Sequence, residues 1–217
     1  PGIQITEHLP RLAKLAHRFT IVRSMTHGSL FHNSGTYLVS TGQTPLRELI
    51  AFTVTENDFP HLGAQLALKR PNTSDVPTSV MLPDPVTDGP YTTPGQNGGF
   101  LGARYAPFRV VGDPNADDFA VDGLADKSLL AEHSLARRRS MLRAVNEQLG
   151  PLGDHPRFGE LESYQQRAFA LITSQATRQA FELAREPDGV RERYGRHKPG
   201  QSLLLARRLV EAGVRLV

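Results

Sequence analysis

The residues best suited to chemistry lie in one stretch, FTIVRSMTHGSLFHNSGTYLVSTG, at residues 19–42. Two histidines and two threonines stand in or beside its polar loop: His27, His32, Thr26 and Thr36. The pattern then predicts a helix over residues 34–41, which Ser34 can cap and Gly42 can close. The free N–H groups and the dipole of a first helical turn favour an anion. The stretch therefore predicts an anion-binding helix N-terminus, or alternatively a capped loop with surface histidines.

The elements before this loop form a predicted αβ unit. The apolar run at residues 19–22 predicts a buried strand over 19–23. An amphipathic helix is predicted over residues 5–18, because Leu9, Leu12 and Leu15 recur at helical spacing, with Thr6 as its cap.

Residues 43–104 are rich in proline and are predicted to be largely irregular, with a helix over 59–69 and a short strand over 79–82. The glycines and Asn97 of GQNGGFLGARY, at residues 95–105, would let a ligand approach the backbone. The segment lacks the spacing of a dinucleotide-binding fingerprint. A further strand is predicted over 108–111. The acidic run at 113–118 lacks the spacing of a calcium loop and is predicted to form a capping turn.

The second half of the chain is predicted to be rich in helices. Apolar stripes predict long helices over residues 127–149 and 158–185, separated by a link rich in proline and glycine at 150–157. Shorter helices are predicted over 189–194 and 201–212. Gly213 ends the last helix and leads into a predicted strand over 214–217, an αβ connection that feeds a sheet.

Composition excludes several classes of protein. The 217 residues are 39% hydrophobic and 22% charged, with a net charge of +3 and no cysteine. Disulfides and thiolate chemistry are therefore excluded. The arginines alternate with acids on predicted helices, so we expect no nucleic-acid partner. No apolar run approaches the roughly 20 residues that cross a bilayer, so no membrane span is expected. The first and last residues predict a single incomplete domain, residues 1–217, that lacks its N- and C-terminal portions.

Four sequence segments resemble the DUF1501 family, a group of bacterial proteins abundant in planctomycetes. They are ITEHLPRLAKLAHRFTIVRSMTH, NDFPHLGA, GGFLGARYAPFRV and the closing RERYGRHKPGQSLLLARRLVEAGVRLV. The resemblance covers the whole chain. It implies membership of the alkaline phosphatase/sulfatase-like superfamily, and hence an α/β sandwich with a mostly parallel sheet, helices on both faces and a helix-rich C-terminal half. Such folds bind ligands at the carboxyl ends of their strands.

The resemblance also implies roles for individual residues. Sulfatases carry a cysteine or serine nucleophile ten positions before the glycine of a Thr-Gly pair, and here, counting back from Gly42, that position holds His32. A serine or threonine nucleophile would be Ser34 or Thr36, out of register, and formylglycine chemistry is excluded. Alternatively, His27 and His32 are metal ligands, since neutral imidazole suits zinc. The candidate substrate contacts are Asn33, Ser34 and Asn97, and the implied cofactor is a divalent ion: zinc, calcium or magnesium.

Two functions remain open at this point. One is a metal-dependent hydrolase of phosphate or sulfate esters, whose substrate is an anionic ester such as a sulfated or phosphorylated polysaccharide. The other is a non-catalytic protein that binds such a polysaccharide or a protein partner, which the missing nucleophile motif favours. The resemblance implies an exported or periplasmic protein. A parallel sheet with open edges also predicts poor stability for the isolated chain.

Overall fold

The structure is a computed structural model that describes residues 2–45, 54–121, 132–148 and 173–217, with three single positions between the last two ranges. The α-helices are α1 Pro10–Lys14, α2 His32–Thr41, α3 Leu62–Lys69, α4 Glu132–Gln148, α5 Gln175–Phe181, α6 Asp188–Tyr194 and α7 Lys198–Glu211. The strands are β1 Val80–Met81, β2 Thr87–Asp88, β3 Tyr91–Thr92 and β4 Phe108–Arg109. Short 3-10 helices follow α1 and α5, and two more occupy the glycine-rich segment at 95–105.

A small parallel sheet organises the described part of the chain. β1 pairs with β4, with Val80 opposite Phe108, and on its other side a parallel bridge joins Ser79 to Leu216. The order across the sheet is therefore β4, β1 and the C-terminal segment. β2 and β3 form a separate antiparallel hairpin directly after β1.

The apolar core lies between this sheet and the C-terminal helices. Helix α7 packs on α5 and α6, and its Leu204, Leu205 and Leu209 are at most 1% exposed. These leucines recur at helical spacing, so one face of α7 enters the core while Leu203 stays in solvent. Val80 and Val110 supply the sheet side of the same core.

This architecture confirms the coarse fold class, a mixture of helices and parallel strands. The predicted short strands at 79–82 and 108–111 are present as β1 and β4, and the predicted short helix at 189–194 is α6. The helix predicted at 127–149 is observed as α4 over its described part, and the end of the helix predicted at 158–185 is α5. The rest of both predictions, and the link at 150–157, lie outside the described residues.

The predictions for the N-terminal αβ unit are partly wrong. Helix α1 begins only at Pro10, which has no N–H to donate and suits a first helical position, so Thr6 does not cap it. The predicted strand at 19–23 is not paired with any described strand, and Val22 is 64% exposed. An apolar run becomes a strand only where a sheet edge receives it, and no described edge does. The predicted strand at 214–217 is likewise reduced to the bridge at Leu216.

Candidate active site

Helix α2 begins with the residues that the sequence singled out. Its N-cap is Phe31, which makes no side-chain capping bond, and its C-cap is Gly42 in the left-handed conformation at φ 74°. The prediction for Gly42 is confirmed. The prediction that Ser34 caps the helix is wrong, because the helix starts two residues earlier and Ser34 is its third residue.

The first two side chains of α2 meet a carboxylate from a distant part of the chain. His32 Nδ1 lies 3.4 Å from Asp88 Oδ1, and Asn33 Nδ2 lies 3.4 Å from Asp88 Oδ2. The His32 side chain is 86% exposed and that of Asp88 is 36% exposed, so solvent or a ligand reaches both. A negative charge at this end of a helix is favoured by the helix dipole. The helix mouth therefore already holds a carboxylate of the chain itself.

The parallel sheet determines where Asp88 lies. The chain leaves the carboxyl end of β1, passes Asp84, which is paired with Lys198, and enters the β2–β3 hairpin that carries Asp88. Buried Gln96 holds the base of this hairpin: its Oε1 accepts from Val86 N–H at 2.8 Å, and its Nε2 donates to Val86 O at 2.9 Å. The candidate site thus follows the carboxyl end of a parallel strand, which is where α/β folds bind ligands.

The C-terminal half of α2 is fixed to its surroundings. The Tyr37 hydroxyl accepts a hydrogen bond from Phe59 N–H at 2.7 Å, and Gln65 Nε2 donates to Thr41 O at 2.9 Å. Burial raises the pKa of Tyr37 despite that bond, and the Asp58 carboxylate raises it further. A Cβ on Gly95 would lie 2.9 Å from the Thr41 methyl group, so the glycine-rich segment packs closely on α2. The second half of α2 is therefore held by its neighbours, while His32 at the start of the helix is exposed.

The other predicted residues of the loop surround the same turn. The His27 ring lies against Gly35, where an added Cβ would be 3.7 Å from Cε1. Ser34 is fully buried, and its hydroxyl has no hydrogen-bond partner in the part of the chain that the structure describes. Thr36 is half-buried. The structure thus brings His27, His32, Asn33 and Ser34 together at one helix start.

Asn97 has a different role. Its side-chain Oδ1 accepts from Gly99 N–H at 3.0 Å, and its carbonyl oxygen accepts from His61 N–H at 2.9 Å. These bonds shape the glycine-rich turn. None of the contacts found among the described residues joins Asn97 to the start of α2.

A divalent ion fits this site only in part. His32 and Asp88 offer an imidazole and a carboxylate at one exposed point; zinc accepts both as ligands, and magnesium would use the carboxylate. Catalytic zinc usually has three protein ligands. Within the described ranges, no group of three or more His, Asp or Glu residues gathers in a way that could hold a metal ion.

Two residues of the site neighbourhood were missed by the sequence analysis. Asp84 and Asp88 follow the predicted strand at 79–82 within DPVTDG, and acidic residues just after a buried strand are a recognisable signal. The contact of Asp88 with His32, 56 positions away, has no local signal.

The geometry defines an α/β protein with a histidine–carboxylate pair beyond the carboxyl edge of a short parallel sheet. The family model described as "Protein of unknown function (DUF1501)" matches residues 1–217. The chain therefore belongs to the DUF1501 family. A search of curated proteins found no match, and a search of solved structures found none. In the described residues, no helix has both the length and the apolar character needed to span a bilayer.

Proposed function

We propose that this chain carries part of the active site of a metal-dependent hydrolase of phosphate or sulfate esters, related to alkaline phosphatases and sulfatases. The observation that supports the proposal most directly is the contact of His32 with Asp88 at the uncapped start of α2. This pair would hold a divalent ion, and the ion would polarise the ester and lower the pKa of an attacking water. The resemblance to exported enzymes extends the proposal to an exported or periplasmic protein.

The residues around the pair would have distinct tasks. Asn33 orients Asp88 through its amide, so that the carboxylate keeps one oxygen toward His32. The first turn of α2 would attract the anionic group of the ester. His27 would contribute a second imidazole from the loop beside Gly35. Thr36 or a water would be the nucleophile more readily than Ser34, whose hydroxyl solvent does not reach.

The test is release of phosphate and sulfate from aryl esters by the purified protein, with and without a chelator. We expect chelator-sensitive turnover, and a loss of about 10- to 100-fold in kcat/KM for His32→Ala and for Asp88→Asn. The matched control is Asp84→Asn, which changes an acid of the same loop that pairs with Lys198 instead. Turnover that is indifferent to both site variants would exclude this pair from the active site.

A second function, binding of a sulfated or phosphorylated polysaccharide without turnover, is favoured by the burial of Ser34. A nucleophilic hydroxyl must reach the ester, and Ser34 is 0% exposed. The measurement is calorimetric titration with a sulfated oligosaccharide. Binding by a metal-loaded protein that releases no sulfate, and equal affinity in Ser34→Ala, would select this alternative.

A further inference from the structure

Tyr91 lies directly opposite Asp88 in the hairpin that carries the candidate site. In the antiparallel register of β2 and β3, Asp88 pairs with Tyr91 and Thr87 pairs with Thr92. The side chains of a directly opposed pair leave the same face of a hairpin, with Cβ atoms about 5 Å apart. The Asp88 carboxylate contacts the first two residues of α2. The Tyr91 side chain therefore leaves the hairpin on the face that meets the candidate site.

The backbone that carries Tyr91 is held on both sides. Before Tyr91, the chain makes the two-residue turn Gly89–Pro90, in which the glycine has φ 58° and the proline ring fixes its own φ. After Tyr91, Thr93 N–H donates to Val86 O at 3.0 Å, and the Thr93 hydroxyl donates to the same oxygen at 3.0 Å. Tyr91 thus has a defined position beside the candidate site, and only its two side-chain torsions remain to be fixed when a ligand binds.

The surface beside Asp88 suits a ring that is apolar on one face and polar at its rim. Tyr91 is 51% exposed, and the side chain of His32, which also neighbours Asp88, is 86% exposed. The face of an aromatic ring is apolar and carries a partial negative charge, so it attracts the C–H groups on the flat face of a pyranose. The sugar hydroxyls would stay in water. A wholly apolar ring would gain more from an enclosed pocket, because the burial of apolar area drives its binding.

We propose that Tyr91 is a specificity-determining residue that stacks against the sugar ring of a sulfated or phosphorylated carbohydrate, while the anionic group of the same molecule lies at the start of α2. The inference rests on the proposed function for the position of the anionic group, and it holds with or without turnover. The helix dipole favours the charge of the ligand, and the Tyr91 ring favours its flat apolar face. An ester of an open-chain alcohol makes the first contact only.

The test compares the affinity of the full chain for glucose 6-sulfate and for glucitol 6-sulfate, in which the same carbon chain is open. Calorimetric titration with zinc present measures both dissociation constants, and the two corresponding phosphates are titrated separately to distinguish the kinds of ester. We expect the wild type to bind the cyclic ester about two- to tenfold more tightly. Tyr91→Ala should abolish this preference by weakening the binding of the cyclic ester alone. Tyr91→Phe should retain it, because the ring is kept.

The matched control is Phe100→Ala, which removes a different aromatic ring that is 57% exposed and packs against Phe59 at a centroid distance of 5.5 Å. It should change neither affinity. His32→Ala should weaken the binding of both esters by the same factor, because it changes the position of the anionic group. Circular dichroism establishes that each variant is folded.

The NMR spectrum of the bound sugar supplies an independent readout. The C–H protons of its stacked face should shift upfield with the wild type and with Tyr91→Phe, and should not shift with Tyr91→Ala. Equal affinity of the wild type for the cyclic and open-chain esters, or a preference that survives in Tyr91→Ala, would overturn the role of Tyr91 and leave the anion site standing. Failure of the wild type to bind any of the four esters would overturn the proposed function together with this inference.

Discussion

At the scale of single residues, His61 differs from the exposed histidines of the candidate site. Its Nδ1 accepts a hydrogen bond from Gly63 N–H at 2.9 Å and so caps α3. Only an unprotonated Nδ1 can accept this bond. Burial lowers the pKa of His61 below 6.5, and the positive charge of Arg109 lowers it further. Between the lowered pKa and pH 6.5, the folded protein therefore keeps His61 neutral, whereas an unfolded chain would protonate it.

This difference predicts a pH dependence of stability. Below pH 6.5 the unfolded chain takes up a proton on His61 that the folded chain does not, so the free energy of unfolding decreases as pH falls from 6.5 through the lowered pKa. Denaturant titrations between pH 7.5 and about 5 measure this decrease, and NMR titration measures the pKa of His61 itself. Arg109→Gln should raise that pKa. A pKa in the folded protein at or above 6.5 would contradict the prediction.

At the scale of elements, the sequence predicted a helix end that depends on the conformation of one residue. It did not predict the helix start or the strand that depend on contacts with other segments of the chain. Gly42 ends α2 because glycine adopts a positive φ at no steric cost, and this is visible in the sequence. The start of α2 depends on the conformation of the preceding loop, which the sequence does not show. The prediction that Ser34 caps the helix is therefore wrong. The apolar run at 19–22 gives composition only, whereas a strand also needs an edge to pair with.

The corner between α6 and α7 offers a prediction at this scale. Gly200 is the third residue of α7, and a Cβ there would lie 2.2 Å from Tyr194 O and 2.6 Å from Gly195 O. Both atoms are backbone and cannot move aside independently. Gly200→Ala should therefore lower the free energy of unfolding by about 1–3 kcal/mol, as measured by denaturant unfolding.

The matched control is Gly189→Ala in α6, where an added Cβ meets nothing within 4 Å. Because alanine favours a helix more than glycine does, this variant should be neutral or more stable by up to about 1 kcal/mol. Equal losses in the two variants would show that the close backbone packing at Gly200 does not limit stability.

At the scale of the whole molecule, the sequence predicted the α/β class but not the assembly of the candidate site. Helix α2 and the β2–β3 hairpin are separated by more than 40 residues of chain between Gly42 and Asp88. Their contact depends on the parallel sheet, which places the hairpin at its carboxyl edge, and on buried Gln96, which holds the hairpin base. Single-sequence patterns report the local backbone and the apolar faces, so a contact between polar groups so far apart leaves no trace in them.

A partly buried ionic cluster also joins elements of the C-terminal region that are distant in sequence. Glu186, which follows α5, accepts from Arg208 Nη1 at 2.5 Å, and its other oxygen lies 2.9 Å from Arg207 Nη2. Arg208 Nε also donates to Ala180 O at 3.0 Å, so α7 is tied to the end of α5. Burial alone would raise the pKa of Glu186, but the hydrogen bonds from Arg208 and Arg207 outweigh it and lower the pKa below 4.5.

Removing this charge should therefore weaken the whole C-terminal assembly. We expect Glu186→Gln to lower the free energy of unfolding by about 1–3 kcal/mol at neutral pH, since hydrogen bonds to a charged group are lost. In the wild type, this stabilisation is present above pH 4.5 and disappears as pH falls through the lowered pKa of Glu186. As pH falls below 4.5, the free energy of unfolding should therefore decrease less in the variant than in the wild type. Glu182→Gln is the control, because its side chain is 58% exposed and lies 3.9 Å from Arg185. Denaturant unfolding of all three proteins at pH 7 and near pH 4 measures both effects. If the free energy of unfolding depends on pH in the same way in the wild type and in Glu186→Gln, Glu186 is not the group responsible for that dependence.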